Sequence, residues 1–495
     1  KSTNQINQSN QPIKSTNQIN QSKKNQKKVY KNIGMYYKMY IYIPIFLLFC
    51  CTSCISQNIP TQVHIALAGR NEYGLSNTIA VSWSTINDTS EHIVKYGTSP
   101  GKYILDSHGY SKQYYKTFHH HTVLSNLLEP NTRYYYIVGD ENDGFSSEFT
   151  FMSPKTETDP NESSTFLVYG DLGVWYSDDT MSYINKEVNT GEIELIIHSG
   201  DISYADDSFL HKGCAIKSCY EPTWDSYMSL IEDWASKVPY MTAPGNHEAD
   251  CHDTECLHNP IQREKLSNFS AYNTRFRMPS EECGSNALNM HYSFNYKNIH
   301  FIAIDSETGY PNAPLEHKYV LPCGGFQNQL KWLKKDLVAA NKNRKEQPWI
   351  FVYGHRPIYQ GNNTDVNLQK AMEKLFYDYN VDIYFIGHVH SYERTWPTYQ
   401  GKVLSTDPNT AYVNPLSTIY LVLGGAGNDE MSDANIPQLN RINDPAALYS
   451  YKNWSNGDYG PWSASVDLHH FGIGRVNIIN STTLKFDYIQ TSINK

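Results

Sequence analysis

Five short apolar runs in this 495-residue chain each end in side chains that bind metal ions. Thr165 to Tyr169 leads through Gly170 to Asp171, and Leu195 to Ser199 leads through Gly200 to Asp201, with Tyr204 three residues on. The run from Pro239 passes Gly245 to reach Asn246 and His247. Trp349 to Tyr353 passes Gly354 to reach His355, and Val381 to Ile386 passes Gly387 to reach His388 and His390. One strand ending in glycine and a polar residue is ordinary turn chemistry. Five that deliver Asp171, Asp201, Tyr204, Asn246, His355, His388 and His390 point to a shared site. Carboxylate, phenolate and amide oxygens are hard ligands and imidazole is borderline, a mixture that suits iron, manganese or zinc rather than calcium or copper. Asp201, on the central run, is placed to bridge two ions. His388 and His390, two apart at a strand end, can face the same way and reach neighbouring ions.

The runs are rich in Val, Ile, Phe and Tyr, as are strands buried on both faces of an α/β sheet. Ligands collect at the carboxyl ends of such strands. The glycine before each donor is expected to supply a positive φ or a close backbone approach. Apolar residues recur at helical spacing at Trp224, Met228, Ile231 and Trp234, at Phe326, Leu330, Leu333 and Leu337, and at Leu368, Met372, Leu375 and Phe376. These stripes are core-facing helices. The strand from Thr418 and the C-terminal strands from Gly474 and Leu484 are expected to complete a second sheet. A Trp-, Tyr-, Asn- and Ser-rich stretch over roughly 429–470 is expected to be a lid or substrate wall.

Residues 57–153 differ in kind. Short strands begin near Val63, Thr78, His92, His120, Arg133 and Glu148, with turn residues between them and no helical period. This predicts an all-β, fibronectin type III-like sandwich with Trp83 in its core and the tyrosine-corner stretch at Asn131 to Tyr136. His119, His120 and His121 are expected at a strand start, alternating in and out, rather than as a metal tract. A polar linker over 154–163 then precedes a catalytic domain over 164–495.

Residues 1–34 are low-complexity Asn, Gln, Lys and Ser that build no core and are expected to lie outside the native protein, with Met35 or Met39 as the start. Residues 35–56, with an apolar run from Met39 to Cys51, are expected to be a signal peptide, the run being short of the roughly 20 residues a membrane span needs. Without residues 1–56 the chain carries 33 basic against 50 acidic residues, a net charge of −17, which argues against a basic nucleic-acid-binding surface. Six cysteines remain, Cys214, Cys219, Cys251, Cys256, Cys283 and Cys323, and are expected to form disulfides. Sequons at Asn87, Asn161, Asn268, Asn362, Asn453 and Asn480 fit the same secretory route and predict N-linked glycans.

Asp171-x-Gly173, Gly200-Asp201-x-x-Tyr204, Gly245-Asn246-His247-Glu248, Gly354-His355 and Gly387-His388-x-His390 together resemble, in order and spacing, the five motifs of the purple acid phosphatases. The resemblance runs from about residue 60 to the end. It implies a two-sheet α/β sandwich metallophosphoesterase domain behind the β-sandwich, and Fe(III) held by Asp171, Tyr204 and His390. A second divalent metal, Zn, Mn or Fe(II), would be held by Asn246, His355 and His388, with Asp201 bridging. Related metallophosphoesterases carry a histidine where this chain has Gly173, and Tyr204 can supply the missing ligand. The resemblance further implies hydrolysis of phosphate monoesters by metal-bound hydroxide, an acidic optimum, small phosphorylated substrates and a secreted or lysosomal location. His247 is the candidate for contacting phosphate or protonating the leaving group, against a reading in which it packs behind the metal. Plant members use a histidine pair beyond the His355 equivalent, but Ile358 to Asp365 contains none, so substrate contacts fall to Arg356 or to the loop with His469 and His470. The alternatives are a nucleotide phosphodiesterase or pyrophosphatase on the same site, and an adhesion protein that kept the fold.

Overall fold

Phe166 marks the plane on which two β-sheets face one another. From the first sheet its ring meets Phe301, Phe351 and Phe385 of the second, at centroid distances of 5.4, 6.1 and 6.1 Å. The computed structural model describes residues 58–68, 78–124, 128–155, 159–211, 213–214, 218–251, 254–315, 323–428, 430 and 459–492. The expected low-complexity segment, the signal peptide, the Asn453 sequon and most of the 429–470 stretch lie outside these residues. Among the described residues, no helix is long and apolar enough to cross a membrane.

In the five-stranded first sheet Ser164–Tyr169, rather than the run that ends in Asp201, is central; Leu195–Ser199 lies beside it, parallel to it and to the edge strand Tyr240–Ala243. Phe471–Asn480 and Thr483–Ser492 then continue this sheet in antiparallel register. The second sheet has seven strands, with Ile299–Ala303, Trp349–Gly354, Ile383–Ile386 and Ile419–Leu423 parallel and Tyr292–Tyr296, Tyr392–Thr395 and Ser463–Asp467 antiparallel at its sides. The C-terminal strands therefore do not join the 419–423 strand as expected. Their partner is Ser164–Tyr169, some 300 residues earlier, a pairing that no local pattern records.

Alternation along the seven-stranded sheet explains its two buried faces. Phe351 and Phe385 point inward to Phe166, while Ile350, Val352, Tyr384 and Ile386 point outward. The outer face is covered by Leu333 and Leu337 of the Gln329–Lys342 helix and by Leu368, Met372 and Phe376 of the 366–378 helical stretch, as their spacing predicted. Phe326 lies before the first of these helices rather than on it. Asn328 caps that helix by accepting from the Lys331 backbone N–H, and Asp365 does the same for Asn367 and Leu368.

The N-terminal all-β domain is an antiparallel sandwich. One sheet has the order Thr61–Ala68, Thr78–Thr85, Thr117–Val123, Tyr110–Tyr114; the other is built on Arg133–Asp140 with Ile93–Gly97, Leu105–His108, Gly144–Phe145 and Phe149–Met152. Trp83 is buried, and the Glu129 backbone N–H donates to the Tyr134 hydroxyl at 2.9 Å, the contact of a tyrosine corner. His119, His120 and His121 do not alternate between core and solvent. All three are buried inside the strand, because the sheet's outer face is covered by the α/β part of the chain. His121 Nε2 lies 2.8 Å from the Thr274 carbonyl, and Val63 N–H donates to Glu232 at 2.8 Å. In the same seam Arg275, with a fully buried side chain, pairs with Glu221 at 2.7 Å.

Two disulfides close, Cys214–Cys219 and Cys251–Cys256, each across five residues. Cys283 and Cys323 carry thiols, so the expected third pair does not form.

Burial pushes His120 down to about 4 and holds His121 and His119 well below the usual imidazole value. The unfolded chain, with histidines near 6.5, then binds more protons than the folded one, so stability is full above pH 6.5 and is lost as pH falls toward the folded values. Each such histidine should remove about 2 kcal/mol by pH 5. Urea denaturation at pH 7.5 and pH 5 should show this loss, and His121→Gln should reduce the difference.

Candidate metal centre

The two sheets converge at their carboxyl ends, and the seven predicted donors all lie there. Asp171, one turn past Ser164–Tyr169, places Oδ1 3.1 Å from Tyr204 Oη and 3.1 Å from His390 Nε2. Tyr204 Oη and His390 Nε2 are 3.0 Å apart, so three donor atoms from three chain segments form a nearly equilateral triangle. A metal at about 2.1 Å from each, with ligands at right angles, gives edges of about 3.0 Å. Hydrogen bonding across all three contacts needs both the phenolic and an imidazole hydrogen, whereas a single cation off the face of the triangle meets all three atoms. The donor set therefore fits an ion.

The second group sits beside it. His355 Nε2 lies 2.9 Å from Asp201 Oδ2 and 3.1 Å from Asn246 Oδ1, and Asp201, His355 and His388 offer ligand atoms within 4.8 Å of one another. His355 Nδ1 faces the Ser199 carbonyl at 3.0 Å, which aims Nε2 into the site. Asp171 also spans toward the second set, accepting from the His388 backbone N–H at 2.8 Å.

The glycines act mainly through space. Of the five that precede donors, Gly200 has a positive φ, 84°, while the left-handed conformation falls largely on donors themselves: Asp171 at 63°, Asp201 at 55°, Tyr204 at 56° and His388 at 67°. Each such residue costs roughly 1–3 kcal/mol, repaid by the surrounding structure. A Cβ on Gly245 would stand 2.2 Å from Asp201 Oδ1, and one on Gly387 2.6 Å from Asp171 Oδ2. A Cβ at 173 would meet the Tyr204 ring at 3.3 Å, so an imidazole there and the Tyr204 ring compete for one space.

Charge and burial set the electrostatics. Burial raises Asp171 above the usual carboxylate range. Burial also works to raise Asp201, but the charges of His355 and His247 outweigh it and hold Asp201 well below that range. Tyr204 is held well above its ordinary value by burial and by the carboxylates of Asp171 and Asp201. Phenolate there requires a strong Lewis acid. Burial and the adjacent Arg356 hold His388 well below its usual value, leaving a lone pair for a metal.

His247 is buried beside Asp201. Its backbone N–H donates to Asp201 Oδ1 at 2.9 Å, its Nδ1 lies 2.9 Å from Asp206, and its Nε2 is 3.8 Å from Asp201 Oδ2. Burial opposes its charge, but Asp206 and Asp201 raise it well above the usual imidazole value.

Three residues were given no role by the sequence reading, although Glu248 lies within the Gly245 to Glu248 motif. Glu248 accepts from the backbone N–H groups of Asp201, Ile202 and Gly245 at 3.0, 2.8 and 2.7 Å and so ties two donor loops together, and burial pushes it up to about 8. Asp206 orients His247. Glu307 follows a sixth strand, Ile299–Ala303, whose tip carries Asp305-Ser306-Glu307 without the glycine that flagged the others. Arg356 lies against the donors, whereas His469 and His470 turn about Asp467, which accepts from His470 Nδ1 and the His469 N–H at 2.9 Å. Among the described residues, no hydrogen bond or ion pair joins either histidine to the donor set.

Residues 164–392 match the model of the calcineurin-like phosphoesterases, so the fold and site define a metallophosphoesterase. Residues 60–153 match the purple acid phosphatase N-terminal domain, and 417–495 the iron/zinc purple acid phosphatase-like protein C-terminal region. The chain is 32% identical over 466 residues to acid phosphatase type 7 of Danio rerio, covering 87% of this chain and 88% of that one. It is 33% identical over 384 residues to probable purple acid phosphatase 20 of Arabidopsis thaliana, covering 75% of each. The purple acid phosphatase PPD1 of yellow lupin (Lupinus luteus) seeds shares the fold, with a TM-score of 0.62 at 22% identity over 88% of this chain and 73% of that one. This chain belongs to the purple acid phosphatase family.

Gly245→Ala should force Asp201 out of place. The purified variant should retain its fold by circular dichroism but lose bound metal by elemental analysis.

Proposed function

We propose that the protein is an acid phosphatase that hydrolyses phosphate monoesters on a dinuclear centre, with Fe(III) at Asp171, Tyr204 and His390, Zn, Mn or Fe(II) at Asn246, His355 and His388, and Asp201 between them. Family membership supports a phosphatase with a dinuclear metal centre. The observation that carries the ligand assignment is the triangle of Asp171, Tyr204 and His390 atoms with edges of 3.0–3.1 Å. When bound, the two ions polarise phosphoryl oxygens and activate water for in-line attack. Every other part belongs to the chain. Glu248 and the glycines hold the donor loops in register, and Asp206 keeps a proton on His247, whose Nε2 is placed to give it to the departing alkoxide. The ring of His247 lies 4.2 Å from that of Tyr204, which fixes the imidazole beside the donors.

The same reading takes 57–153 and 164–495 as domains joined by 154–163, and the protein as a secreted or lysosomal glycoprotein. Two disulfides and the exposed sequon residues Asn87, Asn161 and Asn362 support the secretory route.

Metal analysis and a visible spectrum of the purified protein test the ion assignment. A broad visible band that vanishes in Tyr204→Phe is expected; iron-free protein with full activity would overturn it. Rates on p-nitrophenyl phosphate should exceed those on bis-p-nitrophenyl phosphate, and a faster diester rate would favour the phosphodiesterase reading. His247→Asn should lower kcat by about 10²-fold or more. Asp206→Asn removes an anion that raises His247, so the alkaline limb of the kcat profile should move to lower pH.

A further inference from the structure

Arg356 stands at the edge of the donor set in an arrangement that a buried ion pair alone does not require. Its Nε donates to Glu307 Oε2 at 2.8 Å, and the Glu307 side chain is 0% exposed against 13% for Arg356. A guanidinium serving only as countercharge would set its fork on both carboxylate oxygens. Here the other two nitrogens turn toward the metal donors: Nη1 lies 3.0 Å from His388 Nε2, and Nη2 donates to Asn246 Oδ1 at 3.3 Å. The backbone behind the side chain is pinned from two sides. The N–H groups of His355 and Arg356 donate to Ser306 Oγ at 3.1 and 2.8 Å, and the Arg356 carbonyl accepts from the Tyr384 hydroxyl at 2.8 Å. Among the described residues, Arg356 is the basic side chain outside the histidines that reaches these donors.

We propose that Arg356 is the phosphate-contacting cation of the site, donating from Nη1 and Nη2 to the nonbridging oxygens of a phosphate monoester, with Glu307 as the buried anion that fixes its fork. The inference rests on the phosphatase reading above. His388 Nε2 and Asn246 Oδ1 are the atoms that would hold an ion at the second set, so Nη1 and Nη2 are aimed at the place where a phosphate on that ion would stand. A phosphoryl group at the centre supplies two oxygens at the spacing a guanidinium fork matches, which a lysine ammonium, a point charge, does not reproduce. Arg356 thereby fills the role left open by the absence of histidine between Ile358 and Asp365.

The test is calorimetric binding of inorganic phosphate to the metal-loaded wild type, Arg356→Met, Arg356→Lys and Glu307→Gln, with metal analysis on each sample and KM for p-nitrophenyl phosphate alongside. Arg356→Met should keep both metals and bind phosphate about 10- to 100-fold more weakly, with KM raised in step. Arg356→Lys should fall between, and Glu307→Gln should weaken phosphate by severalfold while leaving the metal content intact. If Arg356→Met fails to fold or to load, Arg356→Lys decides. Either Arg356 variant with full metal and phosphate affinity within twofold of wild type overturns the inference. A wild type that loads metal yet neither binds phosphate nor hydrolyses monoesters overturns the phosphatase reading instead, so the two failures are distinct.

Discussion

The constraint on which the rest of the structure depends is the close approach of two sheets at their carboxyl ends. A Cβ on Gly170 would lie 2.8 Å from the Gly387 Cα, so the strand ending in Asp171 and the strand ending in His388 touch backbone to backbone. The Gly170 N–H donates to the Leu423 carbonyl at 2.9 Å, which joins the first sheet to the second at the same level. Donors from opposite sheets can therefore share one ion. Any side chain inserted between the tips would separate Asp171 from His390, and with it the 3.1 Å contact that defines the first donor group.

That approach concentrates negative and lone-pair groups in a dry space. Asp171, Asp201, Glu248 and Glu307 are all buried at or beside the donor set, with Arg356, His247 and His355 as the protein's own positive groups. Buried carboxylates without adequate countercharge are strongly destabilising. Bound ions would supply the charge that the buried acids lack, which would couple metal binding to folding stability. The same argument gives Glu248 its place. With three backbone N–H groups to accept, it organises the Asp201 and Asn246 loops whichever protonation state it holds.

The β-sandwich contributes at one remove. Its outer sheet face lies on the Tyr220–Ala235 helix and on the segment around Thr274 and Arg275, and the Thr242 carbonyl at the end of the Tyr240–Ala243 strand accepts from Tyr292 at 2.6 Å. The strand that leads to Asn246 and His247 is thus braced through side chains rooted in both sheets. Burying His119 and His121, the latter held between Ser82 and Thr274, makes this seam selective for neutral imidazole. The seam is one place where acid should be felt as lost stability.

The sequence by itself determined the strands and the candidate donors at their tips. Apolar runs must be buried, a buried run must end in a turn, and the residue types at those turns decide the ligand chemistry, so the donors from Asp171 to His390 were legible one strand at a time. The helix stripes were legible for the same local reason. Only the tertiary structure decided what these pieces meet. The C-terminal strands pair with Ser164–Tyr169 rather than with Ile419–Leu423, because strand order is set by long-range packing of two sheets. The left-handed strain falls on Asp171, Asp201, Tyr204 and His388 instead of on most of the glycines, because the glycines are needed for approach between sheets, a contact that has no trace in sequence spacing. Glu307 and Arg356, 49 residues apart, become one ion pair only when neighbouring parallel strands bring their tips side by side.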